Sequence, residues 1–182
     1  ARAALVQALL TGATPHPDQG RVRRALDRYA FYWRRSAGRL PAAAPDQLAA
    51  RLGEQLRDVG AWDAFINARI ALDVEADLPE AVRTELEALP SSIHLLGDRI
   101  PVEYELEKGL GVVQLRLKEG QARRLRGRDL PPFDRPVRFT VLRGKREAVR
   151  ADTLEDLQRQ LSGLSQTERK RLVHSGRRHR RR

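Results

Sequence analysis

The chain has no cysteine, no methionine and no long uninterrupted run of hydrophobic residues. The lack of cysteine excludes disulfide bonds and thiolate metal sites. No run reaches the roughly 18 apolar residues that a membrane-spanning helix needs, and no secretory signal is visible, so we expect a cytoplasmic protein with no membrane partner. Because methionine is absent and the chain starts with a helical pattern, ARAALVQALL, we expect a fragment of a longer protein.

Familiar catalytic and metal-binding motifs are also absent from the sequence. There is no GxxxxGKS or GxxxxGKT phosphate loop, no GxSxG and no HExxH, and four scattered histidines do not have the spacing of a metal site. Asp73, Glu75 and Asp77 alternate, but they precede Pro79, and we interpret them as a loop that enters a helix. We therefore expect no catalytic residue, metal or cofactor in this fragment, while the activity of a parent protein stays open.

Positive charge is in excess, and it is unevenly distributed. The 35 Lys and Arg residues exceed the 24 Asp and Glu residues, which gives a net charge of +11. Residues 1–43 sum to +6, residues 44–107 to −9, residues 108–150 to +9 and residues 163–182 to +7. One interpretation is a basic surface for nucleic acid and an acidic surface for another domain. The alternative is that ordinary solvated helices differ in charge.

The basic tail, residues 163–182, has the highest density of charge. It carries eight Lys or Arg residues and one acid, Glu168, and it ends in GRRHRRR. A block of like charge stays solvated and attracts a polyanion, so we expect the tail to be partly disordered and to bind nucleic acid. A membrane-surface segment would need apolar residues among the cations, and none follows Val173.

The first 89 residues predict a helical region. Apolar residues recur at three- and four-residue spacing, which is typical of helices with one buried face. Five helices are expected: residues 2–11, residues 21–37, Pro45 to Val59, Trp62 to Ile70, and Glu80 to Leu89.

The aromatic residues of this region have two interpretations. Tyr29, Tyr32 and Trp33, followed by two arginines, could stack on nucleic-acid bases. They share a helix face with Leu26, however, so core packing is the preferred interpretation. The same spacing argument predicts that Trp62 and Phe65 are core residues.

From residue 90 the hydrophobic period changes from helical to two, which predicts strands. Strands are expected over residues 100–106, 113–117 and 137–141, with a fourth at Val149. A basic helix or turn is expected over residues 121–126, and a helix capped by Thr153.

The predicted fold class is therefore α+β. An N-terminal helical segment is followed by a small antiparallel β unit with C-terminal helices and a basic tail. The corresponding domain boundaries are residues 1–89 for the helical region, 90–162 for the β unit with its terminal helix, and 163–182 for the tail.

Three groups of cations are candidate nucleic-acid contacts. The first surrounds Gly144 at a predicted hairpin tip, where a solubilising turn is the alternative interpretation. The second lies on the predicted basic helix, where not every side chain can share one face. The third is in the basic tail. The candidate residues are Arg143, Lys145 and Arg146; Arg123, Arg124, Arg126 and Arg128; and Arg177, Arg178 and Arg180.

Residues 89–106 read LPSSIHLLGDRIPVEYEL and are followed by VVQLRLKEGQARRL and by DRPVRFTVLRGKREAVRADTLEDLQRQL. This order of Pro, Gly and apolar positions, over about residues 80–161, resembles the C-terminal region of HrpA/HrpB-type DEAH-box helicases of superfamily 2. The resemblance implies an OB-like accessory domain in an ATP-binding parent protein. The sequence departs from the family in lacking the ATPase motifs, and the basic tail replaces an aromatic-rich ending.

Two functions follow as expectations. The first is a nucleic-acid-binding accessory domain of a DEAH-type helicase that grips the phosphate backbone of single-stranded RNA or DNA without sequence specificity. Its other partner would be the helicase motor domains of the same protein. The second is a protein-interaction module that docks a motor or another partner through its acidic residues 44–107.

Overall fold

The computed structural model of the chain describes residues 2–143 and 146–163 and has an α+β fold. The chain divides into two units, one comprising Ala1–Leu89 with Leu106–Gly111 and the other comprising Pro90–Glu105 with the residues from Val112 onward. Each unit is described by itself below. Among the described residues, no helix is long and apolar enough to cross a membrane.

Six helices form the first unit, and the longest, α2, shows why they fold. Buried Val22, Ala25, Tyr29 and Tyr32 recur every three or four residues along α2, so one face of this charged helix packs inward. The helices are α1 (Arg2–Thr11), α2 (Gln19–Arg35), α3 (Pro45–Gln55), α4 (Trp62–Asn67), α5 (Val74–Asp77) and α6 (Glu80–Ala88), with a short 3-10 turn at Pro41–Ala43.

The helical unit contains two clusters of buried side chains, and α2 contributes to both. One cluster joins α2 to α5 and α6, and its buried members are Ala25, Tyr29, Tyr32, Ala43, Leu48, Val74, Leu78 and Leu86. The other joins α2 to α1, α3 and α4, and its buried members are Val6, Leu9, Val22, Leu52, Leu56, Phe65 and Ile70.

The predicted core aromatics are confirmed with one exception. Tyr29, Tyr32 and Phe65 are fully buried, and Trp33 is partly buried and packs against the core. The prediction for Trp62 is wrong, because this side chain is 53% exposed. Helix α4 has six residues and buries only Phe65 among them, so Trp62 in its first turn covers the edge of the core, with its ring centroid 5.5 Å from that of Phe65.

The sequence suggested that Asp73, Glu75 and Asp77 form a loop that enters a helix. The structure instead places Glu75 and Asp77 in the short helix α5, with Asp73 directly before it. The Asp73 side chain accepts a hydrogen bond from the backbone N–H of Ala76 at 3.1 Å and caps the short helix α5. Asp73 is therefore an N-cap, and the other two acids project from one helical turn.

A five-stranded sheet with strand order β1-β2-β3-β4-β5 forms the second unit, apart from residues 106–111 at the turn between β2 and β3, which are counted with the first unit. Two tight turns connect the first three strands, Leu96-Gly97 and Lys108-Gly109, and all four of their residues have positive φ, as two-residue hairpin turns require. The strands are β1 (Ser92–Leu95), β2 (Asp98–Glu107), β3 (Leu110–Lys118), β4 (Val137–Arg143) and β5 (Arg146–Ala151).

The sheet is mixed, which corrects the prediction of an antiparallel β unit. Strands β3 and β4 are parallel, in register from Val113 opposite Val137 to Lys118 opposite Leu142. Parallel neighbours need a crossover of a dozen or more residues, and residues 119–136 provide it with helix α7 (Glu119–Arg124) and a 3-10 turn (Gly127–Asp129). The pairs β1/β2 and β4/β5 are antiparallel.

The last described helix, α8, covers residues 154–163. The Thr153 hydroxyl accepts a hydrogen bond from the Asp156 backbone N–H at 3.1 Å, so the predicted cap is confirmed. Leu157 and Leu161 of α8 are buried, as are Ala122 of α7 and Leu125 at its C-terminal end. The buried apolar strand residues are Leu95, Ile100, Val102, Tyr104, Val112, Val113, Leu115, Leu117, Phe139, Val141, Val149 and Ala151.

Candidate nucleic-acid interface

Helix α7 carries the basic cluster of the second unit and is fixed at its start by Gln121. The Gln121 side chain is buried; its Oε1 accepts a hydrogen bond from the Lys118 N–H at 2.8 Å. Its Nε2 donates to a carboxylate oxygen of Asp98 at 2.7 Å. One amide therefore ties α7 to the end of β3 and to the start of β2.

A second amide fixes the end of α7. Gln158 of α8 donates from Nε2 to the carbonyl oxygen of Ala122 at 2.9 Å and to that of Leu125 at 3.2 Å. These carbonyls belong to the last turn of α7, which has no further helical turn to satisfy them. The chain that leaves α7 therefore starts from a defined position.

The residues after α7 form a tight turn. A carboxylate oxygen of Asp129 accepts a hydrogen bond from the Arg126 N–H at 2.8 Å, and the Asp129 N–H donates to the Arg126 carbonyl at 3.0 Å. This reciprocal pair closes the 3-10 turn and holds the backbone of Arg126 and Arg128.

The four predicted arginines of this region divide into one paired residue and three others. Arg123 contacts Glu119 through Nε at 3.0 Å and Nη2 at 2.6 Å. This ion pair is partly buried, with side-chain exposures of 35% and 21%. Arg123 therefore has its own counter-ion, and we remove it from the candidate interface.

The Arg patch consists of the other three, Arg124, Arg126 and Arg128, and all three are exposed. Arg124 donates to the Gly120 carbonyl at 3.2 Å, and Arg126 donates to the carbonyls of Arg123 and Leu125 at 3.5 and 3.3 Å. Main-chain carbonyls orient these guanidinium groups without neutralising them.

Arg128 is the most exposed member of the Arg patch. Its side chain is 88% exposed and lies 4.0 Å from an oxygen of Asp129, an ion pair too long and too solvated to hold it. The patch thus presents three exposed cations at the end of α7 and on the hydrogen-bonded turn that follows it. A guanidinium presents a planar fork that pairs bidentately with phosphate oxygens.

The predicted hairpin site is described only in its backbone. Arg143 ends β4, Arg146 begins β5, and the two are opposite each other in the register. Lys145 lies outside the described residues, as do Arg177, Arg178 and Arg180 of the basic tail.

The sheet register places further cations together that the sequence did not connect. Arg116 of β3 is opposite Thr140 of β4, which is opposite Arg150 of β5. Paired residues project to the same face of a sheet, so Arg116 and Arg150 flank Thr140. Arg116 also contacts Glu103 at 3.1 Å and is half exposed. Alternation along β3 predicted a polar face, but the partner strand could not be read from it.

The sequence analysis also did not identify the residues that fix the backbone around α7. Gln121 and Gln158 are polar residues at partly or fully buried positions of helices. Their only sequence signal is a lone glutamine next to apolar neighbours, as in Leu157-Gln158. That signal does not identify which carbonyl the amide reaches.

In the helical unit, oppositely charged segments neutralise each other. Arg28 pairs with Glu75, and Arg51 pairs with Asp77. The Arg28 guanidinium holds the pKa of the Glu75 carboxyl below its usual range. Part of the acidic stretch is therefore used inside the unit. Among the described residues, no group of acids and histidines could hold a metal ion.

No protein-family model matches the chain, and no similar curated protein or solved structure was found. We therefore infer function from the charges and contacts described above, taken together with the resemblance noted in the sequence.

Proposed function

We propose that this chain is a nucleic-acid-binding accessory region of an ATP-dependent DEAH-type helicase and acts in the cytoplasm. It grips the phosphate backbone without reading the bases and has no catalytic activity of its own. The resemblance over residues 80–161 supports the helicase assignment, and the positive charge of residues 108–150 and of the basic tail supports the ligand.

The observation that carries the proposal is the Arg patch. Arg124 is exposed at the end of α7, and Arg126 and Arg128 are exposed on the turn that follows, where Gln121, Asp129 and Gln158 fix the backbone. Placing three exposed cations within residues 124–128 costs electrostatic repulsion, which a bound polyanion relieves. A solubilising surface needs charge but does not need a fixed arrangement, so binding explains the rigid turn better.

An OB-like description of the sheet unit is part of the proposal. Five strands in a small sheet are in keeping with it, and OB-folds use the loop between their fourth and fifth strands to bind oligonucleotides. In this chain that loop joins Arg143 to Arg146 and contains Lys145. We therefore propose that the hairpin tip and the Arg patch contact the same class of ligand.

The ligand we propose is single-stranded RNA or DNA bound through phosphates. Phosphate contacts position a protein on the strand without carrying sequence information. The ATP-binding motor would be supplied by other domains of the same protein, which are also its proposed protein partner, because the chain has no phosphate loop.

The test is a binding titration of single-stranded RNA and DNA across a salt series. A chain that uses phosphate contacts loses affinity steeply as salt rises, with a log–log slope of about −0.7 per phosphate for single strands. Affinity that does not change with salt, or no binding at low salt, would reject the proposal.

A second candidate is a protein-docking module for the helicase motor. The helical unit supports it with an apolar groove of about 420 Å³, lined by residues of α1, α2 and α3 that include Leu10, Leu26, Trp33 and Leu48. Co-purification with a motor domain after removal of the basic tail would support this candidate. If removal of the tail abolishes co-purification with the motor domain, this candidate is rejected.

A further inference from the structure

Phe31 is an aromatic residue of α2 that lies on the exposed side of this helix. Its neighbours Tyr29 and Tyr32 recur at the spacing of the buried face and are fully buried, whereas Phe31 is 40% exposed. Single exposed apolar side chains are common on protein surfaces. The role of Phe31 therefore depends on what holds its ring and on which charges surround it.

The Phe31 ring is held by contacts within the helical unit. The guanidinium carbon of Arg35 lies 4.4 Å from the ring centroid, and the Tyr32 ring packs edge-on, with the two centroids 5.3 Å apart. Arg35 is itself buried and donates hydrogen bonds to the carbonyls of Leu86 and Leu89 at 2.8 and 2.6 Å. A ring that is fixed in this way loses little conformational entropy when a ligand stacks on it.

Two exposed arginines lie along the same side of α2 as Phe31. Arg24 precedes Phe31 by seven residues, which is two helical turns or about 10.5 Å along the axis, and Arg34 follows it by three residues, about 4.5 Å. Both arginines are exposed. An aromatic ring between cations is the combination with which proteins bind single strands, because the ring stacks on a base and the cations attract the phosphates.

Acids around α2 are taken up by contacts within the helical unit. These contacts are Arg21 with Asp18, Arg23 with Asp27, Arg28 with Glu75, the Tyr29 hydroxyl with Asp77, and the Tyr32 hydroxyl with Glu87. Helix α2 has six arginines and one acid, and among the described residues none of these acids pairs with Arg24. The exposed side of α2 therefore keeps a cation that can attract a phosphate beside the Phe31 ring.

We infer that Phe31 is a stacking site for one unpaired base of the bound strand, with Arg24 and Arg34 beside the phosphates that flank this base. This inference rests on the proposed function and adds a contact that selects single strands, since phosphates are present in single and double strands alike. Bases of a duplex are already stacked on their neighbours, whereas an unpaired base can be splayed onto an aromatic side chain. Stacking tolerates any base, because every base has a π-face.

The first test compares two single strands that differ only in their bases. One is an oligothymidylate of about 12 nucleotides, and the other has the same number of phosphates but no bases. In the full chain, Phe31→Leu should weaken binding of the oligothymidylate at least about fivefold and leave binding of the abasic strand unchanged. Phe31→Trp keeps an aromatic ring and should retain the affinity for the oligothymidylate. Fluorescence anisotropy of the labelled strands measures both affinities.

The matched control removes another exposed aromatic residue of the same unit. Trp62 is 53% exposed, but its helix α4 has an acid, Asp63, and no arginine. Trp62→Leu should therefore leave the affinity for both strands unchanged. Arg24→Gln should instead reduce the magnitude of the log–log salt slope by about 0.7 for both strands, because it removes a phosphate contact. Phe31→Leu should leave that slope unchanged.

The outcomes separate this inference from the proposed function. If Phe31→Leu leaves oligothymidylate affinity unchanged while substitution of the Arg patch weakens both strands, the stacking site is rejected and the proposed function stands. Equal losses of affinity for the two strands in Phe31→Leu would also reject stacking, because they would show a general structural defect. Loss of co-purification with a motor domain in Phe31→Leu, with unchanged affinity for both strands, would make this side of α2 a protein contact instead. If the unsubstituted chain binds neither strand, the proposed function itself fails.

Discussion

The hydroxyl of the buried Tyr29 donates a hydrogen bond to the carboxylate of Asp77, which the guanidinium of Arg51 also contacts. Burial, reinforced by the Asp77 carboxylate, raises the pKa of the Tyr29 hydroxyl above its usual range, so Tyr29 stays a neutral donor. The contact joins α2 and α3 to the acidic helix α5. Part of the acidic charge of residues 44–107 is therefore paired with arginine inside the helical unit and does not require a partner protein.

Asp77→Ala should therefore destabilise the helical unit. The substitution leaves the Tyr29 hydroxyl and the Arg51 guanidinium without their shared acceptor, and the expected loss in unfolding free energy is about 1–3 kcal/mol. Urea unfolding followed by circular dichroism measures it. Glu85→Ala, at an exposed position of α6, is the control and should change stability by no more than about 0.5 kcal/mol. Equal effects of the two substitutions would contradict the role of Asp77.

Truncation of Phe65 should reduce the unfolding free energy far more than truncation of Trp62, although both are aromatic residues of α4. Phe65 is fully buried and Trp62 is 53% exposed. We expect Phe65→Ala to cost about 3–5 kcal/mol through loss of burial and a residual cavity, and Trp62→Ala to cost about 1 kcal/mol or less. Urea unfolding of both variants measures the difference. A larger loss for Trp62→Ala would place that ring in the core after all.

The stability of the helical unit should fall at acid pH in part through Asp18. The Ile70 N–H, bonded to the Asp18 carboxylate at 2.9 Å, holds the pKa of that carboxyl below its usual value, and Arg21 adds to the effect. A lowered pKa in the folded state gives stability that is present above the unfolded-state pKa of about 3.9 and is lost as pH falls through the folded value.

Asp18→Asn should flatten this dependence, because its amide oxygen accepts from Ile70 but does not titrate. Unfolding free energy measured from pH 7 to pH 3 should fall less steeply in Asp18→Asn than in the unsubstituted chain. Asp63→Asn, at an exposed position, is the control. A curve for Asp18→Asn as steep as that of the unsubstituted chain would assign the acid sensitivity to other carboxyls.

Neutralising the Arg patch should weaken binding to nucleic acid. The triple substitution Arg124→Gln, Arg126→Gln and Arg128→Gln removes three cations and should reduce the magnitude of the log–log salt slope by up to about 2 for single strands. The control is the double substitution Glu119→Gln with Arg123→Gln, which removes an ion pair and keeps the net charge. Equal losses of affinity in the two variants would show that the patch is not a specific contact.

The hairpin between β4 and β5 should contribute to nucleic-acid binding independently of the Arg patch. Reversing charge with Arg143→Glu, Lys145→Glu and Arg146→Glu should weaken binding while the unfolding transition stays cooperative, because three acids in place of three cations repel phosphate. Anisotropy titrations and thermal unfolding measure the two properties. Unchanged affinity would remove the hairpin from the interface.

Local patterns predicted much of the fold. Helical spacing predicted the buried face of α2, and alternation predicted the strand cores around Val102, Leu115 and Val141, because each depends on residues close together in sequence. The parallel pairing of β3 with β4 joins residues 24 positions apart across a crossover, and no local pattern encodes it. The prediction that Trp62 is a core residue was wrong for a related reason, because helical spacing alone does not show that α4 lies at the edge of the core.

The sequence indicates a basic region around α7, but it does not show which of its arginines have a counter-ion within the fold. Arg123 and Arg124 are adjacent and identical in sequence, yet only Arg123 faces Glu119 one helical turn away. The restraints from Gln121 and Gln158 depend on distant segments, Asp98 and the end of α7. Charge in the sequence therefore predicts a basic region, while side-chain contacts determine which cations are left to a ligand.

The most direct test of nucleic-acid binding by the folded unit compares the full chain with a chain that ends at Ser162, before the basic tail. Binding to single- and double-stranded RNA and DNA would be measured across a salt series. We predict that the shortened chain still binds single strands, more weakly and with a shallower salt slope, because the Arg patch persists. Complete loss of binding with the tail would contradict the account and leave the folded part as a docking or structural module.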